Sequence, residues 1–172
     1  MSMARRPSVT TRTHEVFASA YDLADALGHD TVSPSHVMLA LLREEEKNVG
    51  AQLVGTRVPR DILERDLEAQ LPPAGVARDG STERAWSPGD EHLIAQAGIE
   101  SRELGKEYIG CEHVLLAFLR DTASVPAQVL ARHGIHFGEI REELVRVDTV
   151  RPGGDASATP SPPAQRVVAA RG

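Results

Sequence analysis

The feature that most constrains this chain is an internal repeat, because the same residue pairs recur 77 positions apart. The matching pairs are Leu27-Gly28 with Leu104-Gly105, His36-Val37 with His113-Val114, Leu39-Ala40 with Leu116-Ala117, and Leu42-Arg43 with Leu119-Arg120. Further along, Ala51-Gln52 matches Ala127-Gln128 at a spacing of 76, so one residue has been gained or lost between the copies. A register held over this length predicts two copies of one structural unit, at about residues 10–71 and 87–147.

The apolar residues of each unit recur at the spacing of helices rather than strands. The first unit opens with an apolar face formed by Val16, Phe17, Ala20, Leu23, Ala24 and Leu27. Thr10 and Ser87 are suitable N-caps for the first helix of each unit, and glycines at 28 and 105 are suitable C-terminal stops. Alternating β-branched runs and hairpin turn signals do not occur in the sequence, so we expect no strands.

Three more helices are expected in each unit. The second helix is apolar on nearly every side in both copies, and it should therefore be the most buried helix. The third helices are predicted at about 49–55 and 126–133, and the fourth helices at about 60–71 and 137–147. The pattern predicts an all-α domain of eight helices in two four-helix units.

Three segments fall outside the helical units. Residues 1–9 are expected to be a flexible basic N-terminus, and residues 72–86 a linker rich in the turn formers Pro, Gly, Asp and Ser. Residues 148–172 contain prolines and glycines but no aromatic residue, so we expect a disordered tail.

Composition narrows the classes of function. The net charge is −6 although both ends are basic, so the body is acidic and matches nucleic-acid phosphates poorly. No stretch approaches the roughly 18 apolar residues of a membrane span, and the N-terminal arginines precede no apolar run typical of a secretory signal. The one cysteine, Cys111, excludes an internal disulfide. We expect a cytoplasmic protein that binds neither nucleic acid nor membrane.

The junction between the first two helices of each unit carries the most informative motif. It reads Leu-Gly-His-Asp-Thr-Val-Ser-Pro-Ser-His over residues 27–36 and Leu-Gly-Lys-Glu-Tyr-Ile-Gly-Cys-Glu-His over residues 104–113. Both junctions continue into an apolar run that ends in an arginine and an acid. Over about residues 9–147, the chain resembles the double Clp repeat, the N-terminal domain of ClpC- and ClpA-type unfoldases, whose usual junction is Leu-Gly-His-x-x-Ile-Gly-Thr-Glu-His.

The resemblance implies an eight-helix, pseudo-two-fold domain of two tandem Clp repeats. It also implies a non-catalytic module that binds substrates or adaptors for a protein-unfolding machine, and that reads phosphoarginine on marked proteins in ClpC-type members. In that family, the glutamate of Gly-Thr-Glu-His clamps the guanidinium. The N-terminus of the helix is suited to the phosphate.

The two repeats differ in how much of that motif they keep. The site implied in repeat two consists of Gly110, Cys111 and Glu112. Its counterpart in repeat one consists of Ser33, Pro34 and Ser35. The counterpart lacks the carboxylate and one N–H, so we expect a degenerate site in repeat one. In repeat two, Cys111 stands in place of the family threonine, so we expect a weakened site there. The alternative is that the glutamate only stabilises the helix dipole.

Other interpretations stay open from the residues alone. His36 and His113 are interpreted as ties that hold each helix start, with metal ligation as the less favoured alternative. Cys111 is interpreted as a small residue at a helix start, with a thiol of lowered pKa as the alternative. A metal- or thiol-dependent enzyme built on residues 111–113 is the remote alternative. Glu44-Glu45-Glu46 is interpreted as a solvated helix end, or else as a contact for a basic partner.

The sequence contains no nucleotide-binding motif, so we do not expect the chain alone to hydrolyse ATP or unfold proteins. The expectation is a stand-alone Clp-repeat protein or a fragment of a larger unfoldase. The expected partners are Clp unfoldase or protease subunits, adaptor proteins and client proteins, without any cofactor. The alternative is an accessory or decoy subunit that modulates the Clp complex or sequesters cyclic peptide antibiotics.

Overall fold

The computed structural model describes residues 7–44, 48–78 and 88–150. Over these ranges, the chain forms eight α-helices and two short β-strands. The helices of repeat one are α1 (Thr11–Ala26), α2 (Pro34–Arg43), α3 (Val49–Gly55) and α4 (Arg60–Glu68). The helices of repeat two are α5 (Pro88–Glu103), α6 (Cys111–Arg120), α7 (Val125–Arg132) and α8 (Phe137–Val150). The prediction of an all-α fold with eight helices is confirmed.

Local chemistry determines where the first helix of each repeat begins and ends. The hydroxyl of Thr10 accepts a hydrogen bond from Thr13 N at 3.2 Å, and so it caps α1 as expected. Gly28 follows α1 with φ +68°, and Gly105 follows α5 with φ +70°. This left-handed conformation favours glycine and ends a helix, so both predicted stops are confirmed. The cap expected at Ser87 lies outside the described residues.

The second helices, α2 and α6, form the centre of the molecule. Every residue from 35 to 42 and from 113 to 119 is buried, as the all-apolar pattern predicts. Helix α6 packs against α1 and α3 of repeat one, and α2 packs against α7 of repeat two. The two repeats therefore share one hydrophobic core.

Two short strands contradict the expectation that the chain has none. Strand β1 (Ser8–Val9) pairs in parallel with β2 (Tyr108–Ile109). Just after β1, Thr10 N donates to Ile109 O at 3.1 Å. The flexible N-terminus expected over residues 1–9 therefore does not extend to residues 8 and 9. Two residues are too few to show an alternating pattern, and their pairing partner lies in the other repeat.

Other boundaries differ by a few residues from those predicted. Helix α8 continues to residue 150, past the expected end at 147, whereas α4 ends at residue 68 rather than 71. Residues 72–78 of the predicted linker contain no regular secondary structure. The rest of the linker, the first six residues and the tail from residue 151 lie outside the described residues.

Within the described ranges, no single helix is both long and apolar enough to cross a membrane. Helices α6 and α7 together meet the criteria of length and composition, but they are bent by 87° where they meet. Most of the residues of α6 are buried in the shared core.

Candidate ligand-binding site at the start of α6

The start of α6 is held by a histidine that reaches back over the first turn. His113 Nδ1 accepts a hydrogen bond from Gly110 N at 2.9 Å, which satisfies the N-cap amide. His36 does the same for Ser33 N in repeat one, also at 2.9 Å. Both imidazoles are buried, and burial lowers the pKa of each below its usual value. The interpretation of the two histidines as ties of the helix starts is confirmed.

The hydrogen bonds to Nδ1 also make His36 and His113 poor metal ligands. Because Nδ1 accepts from the backbone, a neutral imidazole carries its proton on Nε2, and neither nitrogen offers a free lone pair. The part of the chain that the structure describes contains no group of three or more His, Cys, Asp or Glu side chains that could hold a metal ion.

The carboxylate of Glu112 lies over the start of its own helix. The Glu112 side chain is 20% exposed, and its Oε1 lies 3.8 Å from His113 Nδ1. A Cβ atom on Gly110 would lie 2.6 Å from Oε1, so the glycine leaves room for the carboxylate in its present position beside the N-cap. The positive end of the α6 dipole favours a negative charge here. This position suits the expected guanidinium clamp and the helix-dipole alternative equally.

Cys111 lies beneath the site rather than at its surface. It is 3% exposed, and its Sγ lies 3.7 Å from Thr13 Oγ1 on α1. Burial raises the pKa of the thiol to about 12, although the bond to Thr13 acts in the opposite direction. The alternative of a thiol with a lowered pKa is therefore wrong, because lost hydration outweighs the effect of the helix N-terminus.

Repeat one contributes residues to this site that the sequence motif does not include. Arg12 on α1 and Glu44 at the end of α2 lie close enough for their charges to change the pKa of Cys111. Glu112 acts on the same thiol. Helix α3 also packs closely against the backbone of α6 at Glu112, because a Cβ atom on Gly50 would lie 3.3 Å from Glu112 Cα. No local spacing identifies these neighbours, because they lie far from α6 in the sequence.

The corresponding start of α2 presents a different surface. Pro34 is exposed and has no N–H, whereas Ser35, at the position of Glu112, is only 3% exposed. Ser33 carries a Cβ at the N-cap, where repeat two has glycine. The helix start of repeat one thus differs from that of repeat two in charge, in donors and in shape.

A family model for the Clp repeat (R) N-terminal domain matches residues 8–133 of the chain. The chain belongs to the Clp repeat N-terminal domain family. The matched range includes both helix starts, and the resemblance that the junction motifs indicate is confirmed.

Curated proteins similar to this Clp N-domain are much longer than it is. It is 28% identical over 138 residues to the negative regulator of genetic competence ClpC/MecB of Bacillus subtilis. It is 26% identical over 138 residues to the chaperone protein ClpB of Oceanobacillus iheyensis. Each alignment covers 80% of this chain and 17% of the relative, so the chain spans about a sixth of their length.

Solved structures of Clp N-domains have the same fold. The N-domain of ClpV from Vibrio cholerae matches with a TM-score of 0.67 at 18% identity, over 83% of this chain and 86% of that chain. The N-terminal domain of the chaperone ClpD from Arabidopsis thaliana matches with a TM-score of 0.60 at 20% identity, over 84% of this chain and 98% of that chain. At these identities, the likeness establishes the fold alone.

Proposed function

We propose that this Clp N-domain is a non-catalytic module that binds substrate or adaptor proteins within the Clp system through the start of α6. The charges around Cys111 carry the proposal. One cation, Arg12, and two carboxylates, Glu44 and Glu112, act on the same buried thiol, so charges of both signs lie within electrostatic reach of the helix start. A thiol whose pKa is raised to about 12 supports a binding role over thiol catalysis.

Phosphoarginine is the ligand class that suits this arrangement, because it carries an anion and a guanidinium close together. The phosphate is expected at the N-terminus of α6, near the positive charge of Arg12. The guanidinium is expected at Glu112, through charge-assisted hydrogen bonds. Cys111 retains a backbone N–H for the anion, whereas Pro34 has none at the equivalent place in repeat one.

Calorimetric titration with free phosphoarginine tests the proposal. We expect one site per chain in the wild type. The affinity of Glu112→Gln should be lower by at least about tenfold, because a hydrogen bond to a charged group contributes about 1.5–3 kcal/mol. Asp61→Asn is the matched control, since Asp61 is an exposed acid in the first turn of α4.

The control variant should bind phosphoarginine as tightly as the wild type. Equal weakening of both variants would mean that net charge, and not the Glu112 clamp, governs binding. Failure of the wild type to bind would contradict the phosphoarginine assignment.

The proposed partners are Clp unfoldase or protease subunits, adaptor proteins and marked client proteins in the cytoplasm. Affinity capture with the wild type and with Glu112→Gln separates these classes. Clients recognised by their phosphoarginine should be lost in the variant, because its clamp has no charge. A Clp subunit held by another surface should be captured by both. An accessory or decoy subunit is expected to retain such a contact.

A further inference from the structure

The segment that follows α4 packs on the end of α1. We call residues 72–78 the strap. Gly75 N donates to Leu27 O at 2.8 Å, and Arg78 N donates to Asp25 O at the same distance. The last carbonyls of a helix have no partners within the helix itself. The strap therefore supplies hydrogen-bond donors to the end of α1.

Close packing accompanies these hydrogen bonds. A Cβ atom on Gly75 would lie 2.6 Å from Gly28 O, and a Cβ atom on Gly28 would lie 2.4 Å from Gly75 C. Glycine at position 75 thus lets the strap approach the glycine stop of α1. Val76, the next residue of the strap, is 87% exposed, so this position faces solvent.

The end of α5 has the same backbone conformation but is not covered by a strap among the residues that the structure describes. Gly105 has φ +70° and Gly28 has φ +68°. Leu104 O stands in the place of Leu27 O, but no backbone N–H of the described residues donates to it. A Cβ atom on Gly105 would meet no atom of those residues within 4 Å. The end of α5 therefore offers the acceptor and the space that the strap uses in repeat one.

The chain passes beside the two helix ends at nearly the same point of each repeat. In repeat one, His29 Nε2 lies 3.1 Å from Pro72 O, which is 43 residues further along the chain. Lys106 stands at the position equivalent to His29, and its Nζ pairs with Asp148 of α8 at 2.6 Å, 42 residues further along. The chain that leaves α8 therefore starts beside the end of α5, as the strap starts beside the end of α1.

Residues 151–157 repeat part of the sequence of the strap. The strap reads Pro-Pro-Ala-Gly-Val-Ala-Arg, and residues 151–157 read Arg-Pro-Gly-Gly-Asp-Ala-Ser. The two segments share proline, glycine and alanine at their second, fourth and sixth positions. Gly154 thus stands in the place of Gly75, where a Cβ atom would not fit. The polar Asp155 stands in the place of Val76, at the position that faces solvent.

We propose that residues 151–157 dock on the end of α5 as a second strap. Gly154 N donates to Leu104 O, and Ser157 N donates to Arg102 O. The disordered tail that the composition predicts then begins after this segment. The docking does not depend on the ligand proposed for the start of α6.

The chain is long enough for this contact. The first four residues after α8 can span up to roughly 13 Å, whereas the three steps from Pro72 to Gly75 span at most about 10 Å. In repeat one, Arg78 also forms an ion pair with Asp30. The serine at the end of the second strap forms no such pair. Backbone hydrogen bonds and packing hold the second strap, and we expect it to be the weaker of the two.

Amide hydrogen exchange in the full chain tests the docking. The amide of Gly154 should exchange at least about tenfold more slowly than in an isolated peptide of residues 151–157, because a segment that is docked about nine-tenths of the time exchanges only when it opens. The amide of Gly75 is the positive reference, since it makes the equivalent bond. Exchange of Gly154 at the rate of the isolated peptide would overturn the proposal.

Two alanine variants test where the segment docks. Gly154→Ala adds a Cβ atom at the position where the strap has room only for glycine, so the Leu104 amide signal should shift and the protection of the Ser157 amide should be lost. Gly153→Ala is the matched control, because Ala74 occupies that position in the strap. The control should leave the Leu104 signal and the Ser157 protection as in the wild type. Equal effects of the two variants, or an unchanged Leu104 signal in Gly154→Ala, would overturn the proposal.

A dilution series distinguishes docking within one chain from docking on a second copy. The protection of the Gly154 amide should be the same at every protein concentration. Protection that falls on dilution would overturn the proposal, because it would place the segment on another molecule.

Discussion

Glu112 and Gly110 depend on each other at the start of α6. Gly110 has φ −99° and ψ 174°, an extended conformation open to any residue, so backbone strain does not require glycine here. Glycine matters here because a Cβ would collide with the carboxylate of Glu112 in its present position, and the carboxylate would have to move. Repeat one has neither residue of this arrangement, since Ser33 and Ser35 stand in their places.

Replacing Gly110 by alanine tests this dependence. We expect Gly110→Ala to displace the carboxylate of Glu112 and to weaken phosphoarginine binding by about tenfold, or about 1.4 kcal/mol. The free energy of unfolding should change by less than about 1 kcal/mol, because the cap uses the backbone N–H and not a side chain. Calorimetric titration and urea denaturation measure the two quantities. Unchanged affinity would show that the carboxylate does not act from this position.

The sequence motif identified the residues at the start of α6, but it did not predict their burial or their neighbours. Position in the motif identified Cys111 at a helix start, and the helix dipole alone would lower the pKa of its thiol. Burial dominates instead, and Thr13, which contributes the contact to its Sγ, belongs to the other repeat. Arg12 likewise reaches the site only through the fold. Such cross-repeat neighbours leave no spacing signal in the sequence.

At the scale of the helices, the end of α6 is tied to α5 and α8 by one arginine. Arg120 pairs with Glu103 at 3.0 Å and with Glu100, which is 1% exposed. Its guanidinium also lies 4.5 Å from the centre of the Phe137 ring. A buried carboxylate without a partner is unfavourable, so this ion pair is important for the packing of α5 on α6.

The matching arginine of repeat one is tied to a different helix. Arg43 pairs with Glu64 at 3.3 Å and with Glu68 at 2.9 Å, both on α4. The side chains of Glu64 and Glu68 are 20% and 51% exposed, so neither carboxylate is buried as Glu100 is, and such ion pairs contribute little to stability. The repeat in sequence therefore predicts the arginines but not their partners.

Alanine substitution of the two arginines should change the free energy of unfolding by different amounts. We expect Arg120→Ala to lower the free energy of unfolding by roughly 2–3 kcal/mol, because Glu100 is left buried and unpaired. The matched Arg43→Ala should lower it by less than about 1 kcal/mol. Urea denaturation at neutral pH measures both. Equal losses would contradict the difference in burial on which this argument depends.

Helix boundaries were predictable wherever a cap or a glycine stop marks them. The stops at Gly28 and Gly105 and the start at Pro34 follow from local chemistry alone. The pairing of β1 with β2 was not predictable, because it depends on hydrogen bonds between two repeats. The contact between His29 Nε2 and Pro72 O was not predictable either, because it joins residues 43 positions apart in the sequence.

For the whole molecule, the two capping histidines make stability depend on pH. Burial lowers the pKa of both His36 and His113, so the unfolded chain binds more protons than the folded chain as acid is added. The two histidines contribute fully to the free energy of unfolding above the usual histidine pKa of about 6.5. This contribution is lost as the pH falls through their lower pKa values in the folded protein. The free energy of unfolding should therefore be lower at about pH 5 than at about pH 7.5.

A non-titrating cap provides the control for this pH dependence. Glutamine at the third helical position is a natural acceptor for the N-cap amide, so His113→Gln should keep the bond to Gly110 N. The variant should lose less stability than the wild type between the two pH values. An equal loss would assign the pH dependence to other groups.

The internal repeat made the architecture of the whole chain predictable, since each copy must bury the same apolar faces. It did not make function equally predictable, because the two copies differ at the helix starts, where we propose that the ligand binds. The central claim is that repeat two has a binding site which repeat one has lost.

The most direct test is to follow backbone amide chemical shifts while phosphoarginine is added to the uniformly labelled protein. The account predicts saturable shifts at the amides of Cys111, Glu112 and His113 and none at those of Ser35 and His36. Comparable shifts at both helix starts, or shifts confined to repeat one, would contradict it.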